Sequence, residues 1–154
     1  MRQRFAINRH GAHGASHWAR VRHNGLALAE TTGADVHVID LFAFFHDSCR
    51  VNEYTDDNHG KRGAELAVKL SGKFFEATAT EMDFLVDACI GHSDGYVEAP
   101  VTVQTCWDAD RLDLGRVGIK PDAKYLCTAA AKDPMMMQAS YRSSIGQQAG
   151  TGRQ

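Results

Sequence analysis

His46 and Asp47 follow directly on the apolar run Leu41–Phe45, and that placement is the first chemical signal in the chain. A carboxylate carried into apolar surroundings is costly unless a cation or several donors meet it. The same donor types recur at His17, His59 and His92 and in the acidic cluster Asp108, Asp110 and Asp113. Imidazole and carboxylate together suit a divalent ion such as Mn, Fe, Co, Ni, Zn or Mg. A centre without thiolate, its shell completed by water, can act as a Lewis acid and generate hydroxide. The remaining histidines, His10, His13, His23 and His37, are read as solvated or hydrogen-bonded, the commoner fate of an isolated imidazole. Cys49 and Cys106 lie near candidate ligands in sequence, but their apolar neighbours make packing the default role. Spacing cannot assemble ligands from distant segments, so the residues alone leave metal binding and ordinary polar roles both open.

Helices must position these groups. Ser16 is the expected cap of a first helix, in which Trp18, Val21, Gly25, Leu28 and Ala29 recur at three- and four-residue steps until Gly33. Asp35 is the expected cap of the next, whose VHVIDLFAFFHD is apolar on nearly every side and therefore central and buried. The polar stretch CRVNEYTDDNHG reads as a loop. Further helices are expected over Asn58–Leu70, Ala79–Gly91 and the segment VTVQTCWDADRLDL. Gly115, Gly118 and Pro121 break the chain, and a short helix is expected over Ala123–Lys132. The tail from Ser140 is rich in Ser, Gly and Gln and is expected to fray. The expectation is an all-α, compact single-domain bundle of about five to seven helices over residues 1–139, with 140–154 a flexible tail. No Gly-rich loop sits between a strand and a helix, which leaves no basis for a nucleotide-binding α/β fold.

Composition narrows the partners. With 154 residues the chain suits one domain, and 44% hydrophobic against 23% charged residues is ordinary for a globular protein. A net charge of -2 offers no general attraction to nucleic acid or anionic membranes, so any phosphate ligand needs a local site. The longest apolar run is far too short to span a bilayer, and the basic N-terminus lacks the apolar region of a secretory signal. Four widely spaced cysteines without a CxxC pair suggest reduced thiols and a cytoplasmic protein. The Met135–Met137 run is expected to make a core contact, and the oligomeric state is not indicated.

Three local contexts in order carry a family resemblance. SHWARV, LFAFFHD and DADRLDLGRVG resemble the first-histidine, signature-dipeptide and final-aspartate segments of the HD superfamily of metal-dependent phosphohydrolases. The likeness spans about Ser16 to Gly118, most of the chain. It implies that His17, His46, Asp47 and Asp110 bind a metal, with Asp110 preferred to Asp108 because it directly precedes an Arg-Leu pair. NHGKRGAELA and IGHSDG resemble the contexts of extra histidines in two-metal members, implying that His59 and His92 bind a second ion bridged by Asp47. Otherwise they act on the substrate or as general acid. Asp108 and Asp113 are then expected to orient ligands or face the substrate, which places Asp108 with His59 and His92 among the catalytic candidates.

Arg50, Lys61 and Arg111 flank the ligands and are the expected substrate-binding cations, since Arg offers phosphate a planar fork and Lys a point charge. The implied activity is hydrolysis of a small, nucleotide-like phosphomonoester or phosphodiester by metal-activated water. The chain lacks the Gly-Tyr-Pro signature of cyclic-dinucleotide phosphodiesterases, so that substrate is not implied. Two rivals are a non-catalytic HD-like module, with structural metal or regulatory nucleotide, and a di-iron oxygen-using enzyme.

Overall fold

A computed structural model describes residues 6–150; the first five residues of the basic N-terminus and the last four of the tail lie outside it. Among the described residues seven α-helices follow one another: α1 (Ala15–Thr32), α2 (Val36–Phe45), α3 (His59–Leu70), α4 (Ala79–Gly91), α5 (Val101–Arg111), α6 (Ala129–Lys132) and α7 (Pro134–Gly150). Two 3₁₀ turns, Leu114–Val117 and Ala123–Tyr125, link α5 to α6. Among the described residues β structure is limited to an isolated bridge between Ser71 and Phe75. The all-α expectation holds. No helix among the described residues is long and apolar enough to cross a membrane.

Local chemistry sets the helix ends that later meet at the site. Gly33, in the left-handed region at φ 73°, stops α1, and its N–H donates to the Ala29 carbonyl. Asp35 caps α2 as expected, its carboxylate accepting from the N–H groups of His37 and Val38. Thr78 and Glu81 form a reciprocal capping box that starts α4. Ser16 is not a cap: α1 begins two residues earlier than that cap would imply, with Gly14 in the N-cap position. A Cβ at Gly14 would overlap the Arg9 carbonyl, so only glycine lets the chain turn there.

The core forms around α2, whose Val38, Ile39, Phe42 and Phe45 are buried together with Val21, Leu85, Val103 and Cys106. Gly25 of α1 lies against Ile39, 2.5 Å from where a Cβ would stand, so α1 and α2 approach closely. On α3, Gly60 and Gly63 share one face at a three-residue step. A Cβ at Gly60 would overlap the Cys89 carbonyl of α4, and one at Gly63 the Phe45 carbonyl of α2. This bare face brings the start of α3 onto the C-terminal ends of α2 and α4.

The second core cluster corrects the reading of the tail. Leu28, Leu112, Leu126 and Ala131 are buried beneath Met136 and Met137 of α7, while Met135 is exposed. The helix runs through Ser140, where a flexible tail was expected, to Gly150. Ser140 and Ser144 are buried, with hydroxyls bonded to the Met136 and Tyr141 carbonyls. Small serines fit because α7 lies directly on Gly115, where a Cβ would overlap the Ser144 hydroxyl. The single helix expected over Ala123–Lys132 is two short pieces, because Leu126 is extended (ψ 151°) and Thr128 starts a new turn by accepting from the Ala131 N–H.

Candidate metal centre

Five helix ends converge on one buried point. His17 is in the first turn of α1, His46 and Asp47 follow α2, His59 opens α3, His92 follows α4, and Asp110 is in the last turn of α5. Nε2 of His17 and Nε2 of His46 are 3.1 Å apart. Asp47 Oδ2 lies 3.5 Å from each of them, and Asp110 Oδ1 lies 3.1 Å from His17 Nε2 and 3.6 Å from His46 Nε2. The other oxygen of Asp47, Oδ1, faces a second pair: it is 3.3 Å from His59 Nε2 and 3.4 Å from His92 Nε2, which are 2.9 Å from each other. Asp47 therefore belongs to two donor groups, one through each oxygen.

The far side of every ring is fixed. His46 Nδ1 lies 2.9 Å from the Phe42 carbonyl, His59 Nδ1 2.6 Å from that of Asp56, and His92 Nδ1 2.7 Å from that of Cys89. A carbonyl only accepts, so each Nδ1 carries the proton and each neutral ring presents a lone pair at Nε2. His17 Nδ1 meets Asp113 Oδ2 at 2.7 Å, and Asp113 in turn accepts from Arg20 Nε at 2.6 Å. Lone pairs facing each other at such separations, beside carboxylates, require a cation or protons between them.

A divalent ion fits these donors. Ligand bonds of about 2.1 Å put neighbouring donors roughly 3.0 to 3.4 Å apart, close to the separations within both groups. Asp110 Oδ1 is buried and accepts no hydrogen bond of acceptable geometry, as expected of an oxygen reserved for an ion. The buried groups His17–His46–Asp47 and Asp47–His59–His92 could each hold a metal ion.

Protons compete for the same donors. Burial and the nearby Arg116 oppose a proton on His17, but the carboxylates of Asp110, Asp113 and Asp47 set against the ring prevail and carry its pKa up to about 9. Burial lowers the pKa of His46. Burial also opposes a charge on His92, yet its bond to Asp47 and the charge of Asp110 raise it. Burial works against ionised Asp47 and Asp110 as well, and the surrounding histidines hold both well below the usual carboxylate range.

No protein-family model, curated protein or solved structure matches the chain.

The six residues expected to bind metal thus lie together, while the residues flanking them divide. Asp108, expected to be catalytic, is instead a buried anchor: its carboxylate accepts from the N–H groups of Cys127 and Thr128 and from the Thr128 hydroxyl. Arg50, expected on the substrate, turns inward. Its Nε donates to Asp47 Oδ1 at 3.2 Å and its Nη1 to the Asn52 and Tyr54 carbonyls, tying the 51–54 loop to the bridging carboxylate. Lys61 is exposed and lines a recess of 330 Å³ beside His59 that also holds Asp56, Asp57 and Asp94. Arg111 is buried, donates from Nη1 to the Tyr125 carbonyl at 2.8 Å, and borders a cavity next to His92 and Asp110.

Two features escaped the reading of the sequence. Arg116 reaches the centre, with Nη2 3.9 Å from Asp110 Oδ1, Nε on the Ala12 carbonyl and Nη1 on that of Asp113. Its place three residues after Asp113, in a turn, was the available signal. His13, read as solvated or hydrogen-bonded, is the latter: it is buried, and the partner that went unseen is Glu53 Oε2 at 2.5 Å, 40 residues along the sequence. No spacing rule anticipates such a contact. Among the cysteines, Cys49 and Cys106 join neither donor group, and burial holds the Cys106 thiol well above its usual pKa.

Proposed function

We propose that this chain is a divalent-metal-dependent phosphohydrolase of the HD type, acting on a small, nucleotide-like phosphomonoester or phosphodiester. The observation that carries the reading is Asp47, one carboxylate whose two oxygens serve two histidine pairs whose Nδ1 atoms are already committed. His17, His46, Asp47 and Asp110 would hold one ion, and Asp47, His59 and His92 a second. Bound there, the ions supply Lewis acidity toward phosphoryl oxygens and acidify a water enough for it to act near neutral pH.

The chain's own residues prepare that chemistry. Asp113 and the carbonyls of Phe42, Asp56 and Cys89 fix ring orientation and tautomer, so the donors need no rearrangement. Arg50 restrains the bridging carboxylate. Arg116 places a positive charge beside Asp110 and Arg111 another beside the adjoining cavity, a local attraction for phosphate in a chain of net negative charge. The four free cysteines suit work in a reducing cytoplasm.

The test is metal analysis of the purified protein together with turnover of nucleotide mono-, di- and triphosphates and an aryl phosphate, with Mn, Co or Ni added. We expect bound metal, phosphate release, and loss of both in His46→Ala. A folded protein that neither binds these ions nor releases phosphate sinks the reading, and bound iron with oxygen consumption favours the oxygen-using rival.

A further inference from the structure

We infer that the cavity between the end of α5 and the two 3₁₀ turns seats the substrate's leaving group, and that this group is flat, apolar and equipped with an acceptor oxygen. The inference rests on the phosphohydrolase reading above. The cavity measures 450 Å³, within the range of about 300 to 1,000 Å³ usual for small-molecule sites. His92 and Asp110 both form part of its wall, one donor from each group, so a molecule seated here borders both halves of the centre. Two other cavities suit an ester less well. The 640 Å³ groove lined by Leu41, Phe44, Leu66 and Phe75 includes none of the six donors. The recess at His59 would set an anionic ester against Asp56, Asp57 and Asp94.

The wall chemistry defines the class of leaving group. Leu114, Ile119, Pro121, Tyr125 and Leu126 make most of it apolar. Ile119 and Tyr125 are 53% and 54% exposed, so large apolar side chains stand in water where a ligand would cover them. Covering such surface stabilises by roughly 25 cal/mol per Å², which favours a leaving group that presents a flat hydrocarbon or aromatic face to this wall.

Arg111 supplies the polar requirement. Its guanidinium lies over the Trp107 ring, 5.5 Å from the centroid, and its Nη2 is buried without a hydrogen-bond partner. A turn of the guanidinium toward the cavity would bring that donor to an acceptor oxygen on the ligand. Lys120, in the same wall, turns its ammonium toward the Tyr141 ring at 6.0 Å, and Asp122 pairs with Lys124 at 3.8 Å. Arg111 is therefore the cation at hand. In the reaction, water's oxygen bonds to phosphorus as the bond from phosphorus to the alcohol oxygen breaks. The proton released by water ends on that oxygen, giving free alcohol and inorganic phosphate from a monoester, or free alcohol and a phosphomonoester from a diester.

Benzyl, 4-carboxybenzyl and ethyl phosphate compare leaving groups without the intrinsic reactivity of phenols. We expect kcat/KM to favour benzyl over ethyl phosphate by at least about tenfold, and 4-carboxybenzyl further. Ile119→Ser and Tyr125→Ser should reduce the benzyl-to-ethyl ratio, and Arg111→Lys should erase the added preference for the carboxylate, each in a protein of unchanged circular dichroism. Turnover without an aromatic preference, or variants that slow all esters equally, overturns the cavity assignment and leaves the hydrolase standing.

If no ester is turned over, benzylphosphonate binding to the Mn-loaded and ion-free protein decides, followed by calorimetry. Saturable binding weakened by Tyr125→Ser upholds the cavity while the hydrolase fails, and absence of binding overturns it.

Discussion

The imidazole of His17 is held between two carboxylates, Asp113 on Nδ1 and Asp110 beside Nε2. Asp113 binds no ion in the arrangement proposed, yet it fixes the ring and increases its basicity. Asp113→Asn keeps the shape but removes the charge, and metal affinity should fall by about 10- to 100-fold, read by calorimetry. The same ring sets the pH response. Its pKa of about 9 lies above the ordinary 6.5, so at pH 7 the ring carries a proton that an ion must displace. Asp47 and Asp110, held well below the usual carboxylate range, stay ionised throughout this window. Apparent affinity for the ion at His17 should therefore rise about tenfold per pH unit from pH 7 to about 9 and then level off, with one proton released as that ion binds. Calorimetry in buffers of different ionisation heat checks this; a flat profile would place the proton elsewhere.

Among the elements, α3 is the most exacting, because its glycine face rests on backbone carbonyls rather than on side chains that can yield. Gly63→Ala must lift α3 from the end of α2, right beside His46 and Asp47. We expect it to cost about 1–3 kcal/mol in denaturant unfolding and to weaken metal binding by parting His59 from Asp47. An equally stable variant with full metal affinity would show that the contact is slack. This scale also shows what the sequence makes legible. Helices α1 to α5 were readable because periodicity, Gly33 and Asp35 act locally, whereas the six donors were singled out from other helix-end imidazoles and carboxylates by the resemblance of their local contexts, which preferred Asp110 to Asp108. Asp113 meeting His17 was not, since 96 residues separate them. Asp108 was misread because the N–H groups it satisfies lie on the irregular link after α5, whose path no periodicity records. Helix α7 was hidden by its own composition: Ser140 and Ser144 look like tail residues until Gly115 supplies a surface that only small side chains can approach.

At the scale of the whole molecule, the donors join five helices, so an ion bound to them stabilises the fold as a unit. Free ion at about a hundred times its Kd adds about 2.7 kcal/mol. For a chain of 154 residues the rise in Tm should be about 5–10 °C, reversed by a chelator and absent in His46→Ala. A Tm indifferent to both additions would separate the donors from the stability of the fold. The two donor groups also differ in how far apart along the chain their members lie. His59 and His92 are 33 residues apart with Asp47 close before them, whereas the group containing His17 waits for Asp110 on α5. A chain leaving the ribosome from its N-terminus exposes Asp47, His59 and His92 before Asp110 has emerged. In the arrangement proposed, the order of synthesis gives the two halves of the centre different histories: the donors of one have all emerged while the chain is still growing, and the other gains its fourth donor only when the fifth helix arrives.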